Sequence, residues 1–376
     1  MSVRRRHTMY NLIVIGQGLS GLLAAIWAKE HNQNVALVSS GVGKLMQATG
    51  VMEVMPAIKD YISVFNGNRD NAIEAFKVLT DRLEYPYQGS LHELVPIVTG
   101  SGRVKHTNLY PNTIAPIIDK GHVVVVGFQE IIDFQPKYIK ENLLKDLPGL
   151  VVDTISVSLG HQSQRTMTQL DAARLLDKPD VRQHVLNQIK EKTDDTTDMY
   201  IFPACLGVDM WSTVLADMRK QLHATITEAP GMPPNATAVR LFNVLKKEAV
   251  RLGIRFYKNS QVVGHIMEND TLQKITINNV NSQISLKAEK FIIATGGILG
   301  GGLEKTVSGI QDTVLGLPIN ELGQFKQCPD NVYPVGASCG IQVTQYGITG
   351  GVFSILSSYE SVVSIERARK GELQNA

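Results

Sequence analysis

The stretch Asn11-Leu-Ile-Val-Ile-Gly-Gln-Gly-Leu-Ser-Gly-Leu-Leu-Ala-Ala-Ile26 constrains the fold of this chain more than any other. A short apolar run leads into Gly16, Gly18 and Gly21 in G-x-G-x-x-G spacing, then into an apolar helical pattern. The first glycine permits a tight turn out of a strand. The second lets backbone approach a pyrophosphate, and the third lets helix and strand pack closely. A helix opening at Leu19 and Ser20 offers unpaired N–H groups and the positive end of its dipole to a phosphate. The motif alone is weak evidence, but a second apolar strand, Asn34-Val-Ala-Leu-Val38, follows where a βαβ unit needs it. The expectation is a nucleotide-type cofactor at this turn.

The 376 residues suffice for one large or two ordinary domains with a sizeable core. A hydrophobic content of 43% with 19% charged residues is that of a globular chain, and a net charge of +2 is too small to argue for nucleic acid. Cys205, Cys328 and Cys339 are too far apart for a C-x-x-C unit, which speaks against an iron–sulfur cluster or zinc site built within the chain. Three cysteines do not make a disulfide framework, which fits a reducing cytoplasm. No apolar run reaches transmembrane length. The basic start, Met1-Ser-Val-Arg-Arg-Arg-His-Thr8, has no hydrophobic signal core, so it reads as a solvated extension or Met9 is the native start.

After the first βαβ unit, Ser39-Ser-Gly-Val-Gly-Lys44 and Gln47-Ala-Thr-Gly-Val-Met-Glu53 read as loop, and Ala72 to Tyr85 as helix. From His122 a new rhythm starts. Strands are expected at Val123–Phe128, Leu150–Leu159 and Met199–Ala204, with helix at Pro136–Leu147, within Asp171–Lys192, and at Trp211–Leu222. Strands alternating with helices predict parallel pairing. Pro230-Gly-Met-Pro-Pro234 closes this segment. A helix over Val239–Leu252 follows, then a β-meander over Val262–Met267, Leu272–Asn278 and Gln283–Ala288. Lys290-Phe-Ile-Ile-Ala-Thr-Gly-Gly297 comes next, and a last helix runs from Gly350-Gly351 to about Arg369. The expected fold is α/β: a Rossmann-like flavin-binding domain (residues 1–84 and 233–376) with an inserted second α/β domain (85–232) and a β-meander.

A flavin is expected because of three distant glycine-rich segments taken in order: Gly16 to Gly21, Ala294-Thr-Gly-Gly297, and Val335-Gly-Ala-Ser-Cys-Gly340 with Gly350-Gly351. This order resembles two-domain flavoproteins of the fumarate-reductase and glutathione-reductase kind. The resemblance implies that Thr295, Gly296 and Gly297 return the chain to the cofactor sheet. It also implies that Gly336 and Ala337 lie beside the ribityl chain, and that the final helix aims its N-terminus at the flavin ring. Such proteins usually carry an acid after the second strand and another after the glycine of the last strand. Here those positions read Ser39-Ser40 and Ala337-Ser338. Loss of both acids favours non-covalent FMN, with FAD held by other groups as the alternative.

Asp133-Phe-Gln135, Pro203-Ala-Cys-Leu-Gly207, Leu241 to Gly253 after Pro233-Pro234, Gly301-Gly-Leu303 and Val314-Leu-Gly-Leu317 are more specific. Through them the chain resembles the family of B subunits of anaerobic glycerol-3-phosphate dehydrogenases. The resemblance implies a three-subunit complex in which an FAD-bearing subunit oxidises sn-glycerol 3-phosphate to dihydroxyacetone phosphate. The B subunit relays electrons, and an iron–sulfur subunit tethers the pair to the cytoplasmic face of the membrane and feeds quinone. A cofactor-free docking subunit and a stand-alone flavin oxidoreductase of a small hydroxy acid are the competing readings.

No catalytic residue is assigned. Lys44, Thr49 and Gly50 are candidates because the segment after the second strand normally wraps a flavin. His106, His122, His161 and His265 stand without evident pairing and read as surface or structural. Arg240 reads as a solvated helix-start residue that could reach a phosphate, and Cys205 as a buried structural thiol.

Overall fold

Strand β1 (Met9–Ile15) carries an apolar run buried on both faces and leads through the glycine turn into α1 (Leu19–Glu30). Ten of the residues of α1, from Leu19 to Ala28, are buried, because this helix is apolar around its whole circumference. The chain then pairs β2 (Val35–Ser39) parallel to β1, with Ile15 opposite Val38. Helix α2 (Arg69–Arg82) follows, a few residues earlier than its expected span. The structure, a computed structural model, describes residues 9–54, 68–160, 166–279, 282–320, 324–339 and 350–374, so His161, Gly340 and the basic start lie outside the described residues. The chain divides into two compact units. One comprises Met1–Leu45, Glu53–Leu79 and Val244–Ala376, the other Met46–Met52 and Thr80–Asn243.

The second unit opens with two short antiparallel ribbons. In one, β3 (Tyr87–Gly89) pairs with β6 (Leu109–Pro111); in the other, β4 (Val95–Val98) pairs with β5 (Val104–Thr107). Val51, Val95, Ile97, Tyr110 and Ile114 form their core. The alternation expected from His122 onward is then observed. It runs β7 (Gly121–Phe128), α3 (Pro136–Asp146), β8 (Leu150–Val157), α4 (Gln169–Leu176), α5 (Pro179–Lys192), β9 (Met199–Pro203), α6 (Trp211–Leu222) and β10 (Thr225–Ala229). The four strands form a parallel sheet in the order β10-β9-β7-β8. The helical stretch within 171–192 is two helices. Thr168 and Asp171 form a capping box on α4, and Pro179 at the first position of α5 starts a new helix.

Helix α7 (Ala236–Arg251) starts at Asn235, whose side-chain oxygen accepts from the Ala238 amide at 3.3 Å. The first unit resumes with β11 (Arg255–Lys258), parallel to β2, and the antiparallel β12 (Gln261–Glu268) and β13 (Thr271–Asn279). Strand β14 (Ser282–Ile293) is a single element of 12 residues where the sequence suggests two. Its first half pairs antiparallel with β13 and its second half parallel with β1, so one strand serves both the meander and the Rossmann sheet. A small antiparallel sheet of β15 (Leu303–Thr306), β16 (Gly309–Asp312) and β17 (Pro318–Ile319) follows. Strand β18 (Val332–Pro334) then pairs parallel with β14, and α8 (Gly351–Gln374) closes the fold. The parallel part of the sheet thus runs β11-β2-β1-β14-β18, with Ile13, Ile15, Ala36, Val38, Phe291 and Ile293 buried together on one face.

Candidate cofactor-binding site

Two of the three motif glycines are required by the protein's own packing. Gly16 has φ of 115° and donates its amide to the Val38 carbonyl at 2.8 Å, and a side chain there would run into the Ala294 carbonyl oxygen. A side chain at Gly21 would strike the Gly16 carbonyl oxygen. Gly18 differs: its φ is −74°, and nothing lies within 4 Å of where a Cβ would stand. The protein does not need a glycine there, whereas a phosphate approaching the backbone does. Leu19, Ser20 and Gly21 form the buried first turn of α1, which carries no acidic residue to offset the positive end of the helix.

At the carboxyl ends of three neighbouring strands, a buried side-chain oxygen has no hydrogen-bond partner. These are Gln17 Oε1 after β1, Ser39 Oγ at the end of β2 and Thr295 Oγ1 after β14. An unsatisfied buried polar atom costs about 1–3 kcal/mol, and three of them stand at one sheet edge. This is also the edge where open α/β sheets bind nucleotides. The loop after β2 lies against the glycine turn. Gln17 Nε2 donates to the Gly41 carbonyl at 2.5 Å, and a Cβ on Gly43 would stand 2.9 Å from Gly18 Cα. Ser40 and Lys44 are exposed on that loop. Amide donors at a helix N-terminus, neutral acceptors and room for close backbone approach fit a flavin nucleotide.

The remaining glycine segments shape the same sheet edge. Gly296 has φ of 87° and Gly297 precedes the short turn Ile298–Gly300. Gly302 approaches so closely that a side chain would strike the Gly296 carbonyl oxygen. Gly336, with φ of 63°, donates its amide to Ser357 Oγ at 2.9 Å, and a Cβ there would stand 2.5 Å from Ser20 Oγ. Ala337 is buried, and the Ser338 hydroxyl is spent on the Ile293 and Val335 carbonyls at 2.8 and 2.6 Å. Gly350 accepts from the Ser354 amide, and Gly351 opens α8, which lies along α1 through Ser358 Oγ on the Ser20 carbonyl and an edge-to-face Trp27–Tyr359 pair. Thr49 and Gly50 belong to the second unit. There Thr237 Oγ1 and Tyr87 OH donate to their carbonyls at 2.6 and 2.7 Å. The sequence motifs do not single out Gln17, Gly43 or Gly302 as site residues. Only the small size of Gly43 and Gly302 hints at close approach.

Arg240 is neither solvated nor free to meet a phosphate. It is fully buried in a bidentate pair with Glu228, at 2.7 and 2.9 Å, and donates to the Gly207 carbonyl as well. Burial alone would lower its pKa, but the Glu228 carboxylate holds it above the ordinary value. Glu228 also accepts the Leu206 amide at 2.6 Å, so the pair fastens the Pro203–Gly207 segment. Cys205 in that segment is buried, and burial together with Glu228 pushes its thiol well up. His122 is paired after all: its ring nitrogens meet Asp153 at 3.0 Å and Thr196 at 3.2 Å. His106 and His265 are exposed. Among the described residues no group of three His, Cys, Asp or Glu side chains could hold a metal, and no helix is long and apolar enough to cross a membrane.

The chain is similar to the B subunit of the anaerobic glycerol-3-phosphate dehydrogenase of Vibrio vulnificus, 27% identical over 349 residues that cover 82% of this chain and 78% of that one. The corresponding B subunit from Yersinia pestis bv. Antiqua is 24% identical, covering 83% and 80%. Among solved structures, a flavocytochrome c3 fumarate reductase matches 79% of this chain and 35% of its own, at 12% identity and a TM-score of 0.36. Over residues 11–77 and 59–349 the chain matches the FAD binding domain family. It therefore belongs to that flavin-binding family, whose flavin is FAD and not the FMN that the missing acids favour.

Proposed function

We propose that this chain is the flavin-bearing B-type subunit of an anaerobic glycerol-3-phosphate dehydrogenase complex, with non-covalent FAD as its cofactor. The observation that carries the proposal is the sheet edge where Gln17, Ser39 and Thr295 leave buried oxygens unsatisfied beside the open Gly18. Similarity to the B subunits along four-fifths of the length supplies the substrate class.

The first-turn amides of α1 bind the pyrophosphate, and Gly18 lets it approach. Ser39, Ser40 and Lys44 attend the nucleotide half; Thr295 to Gly297, Gly336, Ala337, Gly350 and Gly351 attend the ring and ribityl chain. A bound flavin accepts a hydride equivalent and releases electrons singly. Removing hydride from an alcohol needs a base, and holding its phosphate needs a cation. In this chain Arg240 is engaged by Glu228 and His122 by Asp153. Following the resemblance to the B subunits, we assign oxidation of sn-glycerol 3-phosphate to an FAD-bearing partner subunit. This chain relays electrons toward an iron–sulfur subunit and quinone. The partners hold it at the cytoplasmic face of the membrane.

The absorbance of the purified chain tests the reading: bands near ~375 and ~450 nm are expected from bound flavin. Their absence would favour a cofactor-free docking subunit. Bleaching of the isolated chain by a small hydroxy acid would favour a self-sufficient oxidoreductase.

A further inference from the structure

Two lysines stand face to face on the β-meander. In the antiparallel pairing of β13 with β14, Lys274 lies directly opposite Lys287. Like charges so placed repel, and among the described residues neither lysine has an ion-pair or hydrogen-bond partner. Both point away from the core, because the next pair along, Ile275 with Leu286, is the one packed inside. The other outward pairs of this stretch are Thr276 with Ser285 and Asn278 with Gln283, so no carboxylate among them offsets the charge. The carboxylates of these strands lie outside the stretch: Glu268 and Asp270 at the β12–β13 turn, and Glu289, which accepts from Asn11 Nδ2 at 3.1 Å. The row continues on both sides with exposed apolar residues. Ile266 pairs with Lys274 and Met9 with Lys287, so Ile266, Lys274, Lys287 and Met9 cross four strands in one line. Ile266 is 42% exposed and Met9 59%. In the sequence, Arg4, Arg5 and Arg6 come just ahead of Met9. They lie outside the described residues, but the chain cannot carry Arg6 more than about 11 Å from Met9.

We propose that the outward face of the β-meander, centred on Lys274 and Lys287 and extended by the arginines ahead of Met9, is a contact surface for the anionic headgroups of a lipid bilayer. This goes beyond the reading above, in which partner subunits alone meet the membrane, and it does not depend on the flavin. The charge pattern decides the occupant. A second copy of this chain meeting the face would set lysine against lysine, and the basic segment ahead of Met9 cannot neutralise the pair. An acidic protein surface would answer the lysines. The exposed Met9 and Ile266 at the two ends of the row favour the bilayer, whose headgroup layer attracts basic side chains and whose acyl boundary takes up apolar ones.

The test is sedimentation of the purified full chain with phosphatidylcholine vesicles, made with and without phosphatidylserine. The wild type should bind the phosphatidylserine vesicles, bind pure phosphatidylcholine weakly, and come off at about 0.5 M salt, where exposed charges are screened. Lys274→Gln with Lys287→Gln should bind about 25-fold more weakly, about fivefold for each lysine. The same double variant should keep or raise the melting temperature, because it removes a like-charge pair. Removing residues 2–8 should weaken binding further, and Ile266→Ser should weaken it with the salt dependence unchanged. The control is Lys137→Gln with Lys140→Gln on α3, which makes the same change in net charge and should bind like the wild type. Equal affinity for the two kinds of vesicle overturns the proposal, as does wild-type binding by the Lys274 and Lys287 double variant. An equal loss in the α3 variant also overturns it, since the effect would then be one of net charge alone. A wild type that ignores phosphatidylserine vesicles, with a double variant that loses a partner protein on affinity purification, would give the face to an acidic protein and end the bilayer reading.

Discussion

Gly16, Gly18 and Gly21 are equivalent in the motif but not in the molecule. Gly16 and Gly21 are held by collisions a Cβ would make with backbone carbonyl oxygens, so Gly16→Ala or Gly21→Ala should destabilise the fold itself by about 1–3 kcal/mol or more, read by urea unfolding. Gly18 leaves open space for a Cβ at an ordinary φ, so Gly18→Val should cost less than either, about 1 kcal/mol for the poorer helix N-cap. The same variant should purify without flavin, since the valine fills the phosphate's approach; full flavin retention would refute the role given to this turn. The thiols offer a second residue-scale prediction. Burial, with Asp312 next, raises Cys328 from near 9 to about 11, and burial raises Cys339 to about 12. The folded chain therefore keeps protons that the unfolded chain releases above pH 9. That contribution to stability is complete below pH 9 and is lost as pH rises toward 11 and 12. Melting temperature should fall across that window, and iodoacetamide should label the folded chain slowly at pH 8.

At the scale of elements, the Pro203–Gly207 segment shows how a specific-looking motif can be structural. Arg240, on α7, reaches the Gly207 carbonyl and Glu228 of β10, all of them buried. Arg240→Met leaves the Glu228 charge buried alone and should cost about 3–5 kcal/mol. Adding Glu228→Leu should recover much of that loss in the same unfolding measurement, because no charge then stays unpaired. The sequence could not announce this pair, since Glu228, Gly207 and Arg240 come from separate segments with no shared period. What it did announce was local. The β1-α1-β2 unit and the alternation from β7 to β10 follow from apolar runs and breakers within a dozen residues of one another. Pro179 signalled the break between α4 and α5, yet the periodicity on both sides masked it. The single β14 was hidden because its exposed Glu289 and half-buried Lys290 look like a loop, while pairing with β13, β1 and β18 keeps the strand whole. At the site, the glycine turn was legible, but the orphaned oxygens of Gln17 and Thr295 depend on which partners the fold leaves out.

For the whole molecule the question is where electrons go. A relay needs an exit, and the described residues supply no metal-binding group of three side chains. The thiols of Cys205, Cys328 and Cys339 are all raised by burial and so stay protonated near neutral pH. Each is a poor thiolate ligand or redox nucleophile in that state. On the proposed relay reading the exit is another polypeptide, and the surface that meets it should come from the segment 85–232 or from the loops between Gly300 and Gln327. Apolar side chains stand exposed in both regions, Ile132 and Val151 in the first and Val307 in the second. Purified alone, the chain should oxidise sn-glycerol 3-phosphate and reduce a quinone at less than about a hundredth of the rate of the intact complex, the loss expected when a step has no route. Affinity purification from the native host should bring down a flavoprotein subunit and an iron–sulfur subunit, and Val307→Asp should weaken that recovery without changing flavin content if the hairpin is part of the interface. Full turnover by the lone chain would end the relay reading. Recovery unaffected by Val307→Asp would move the interface to the segment 85–232.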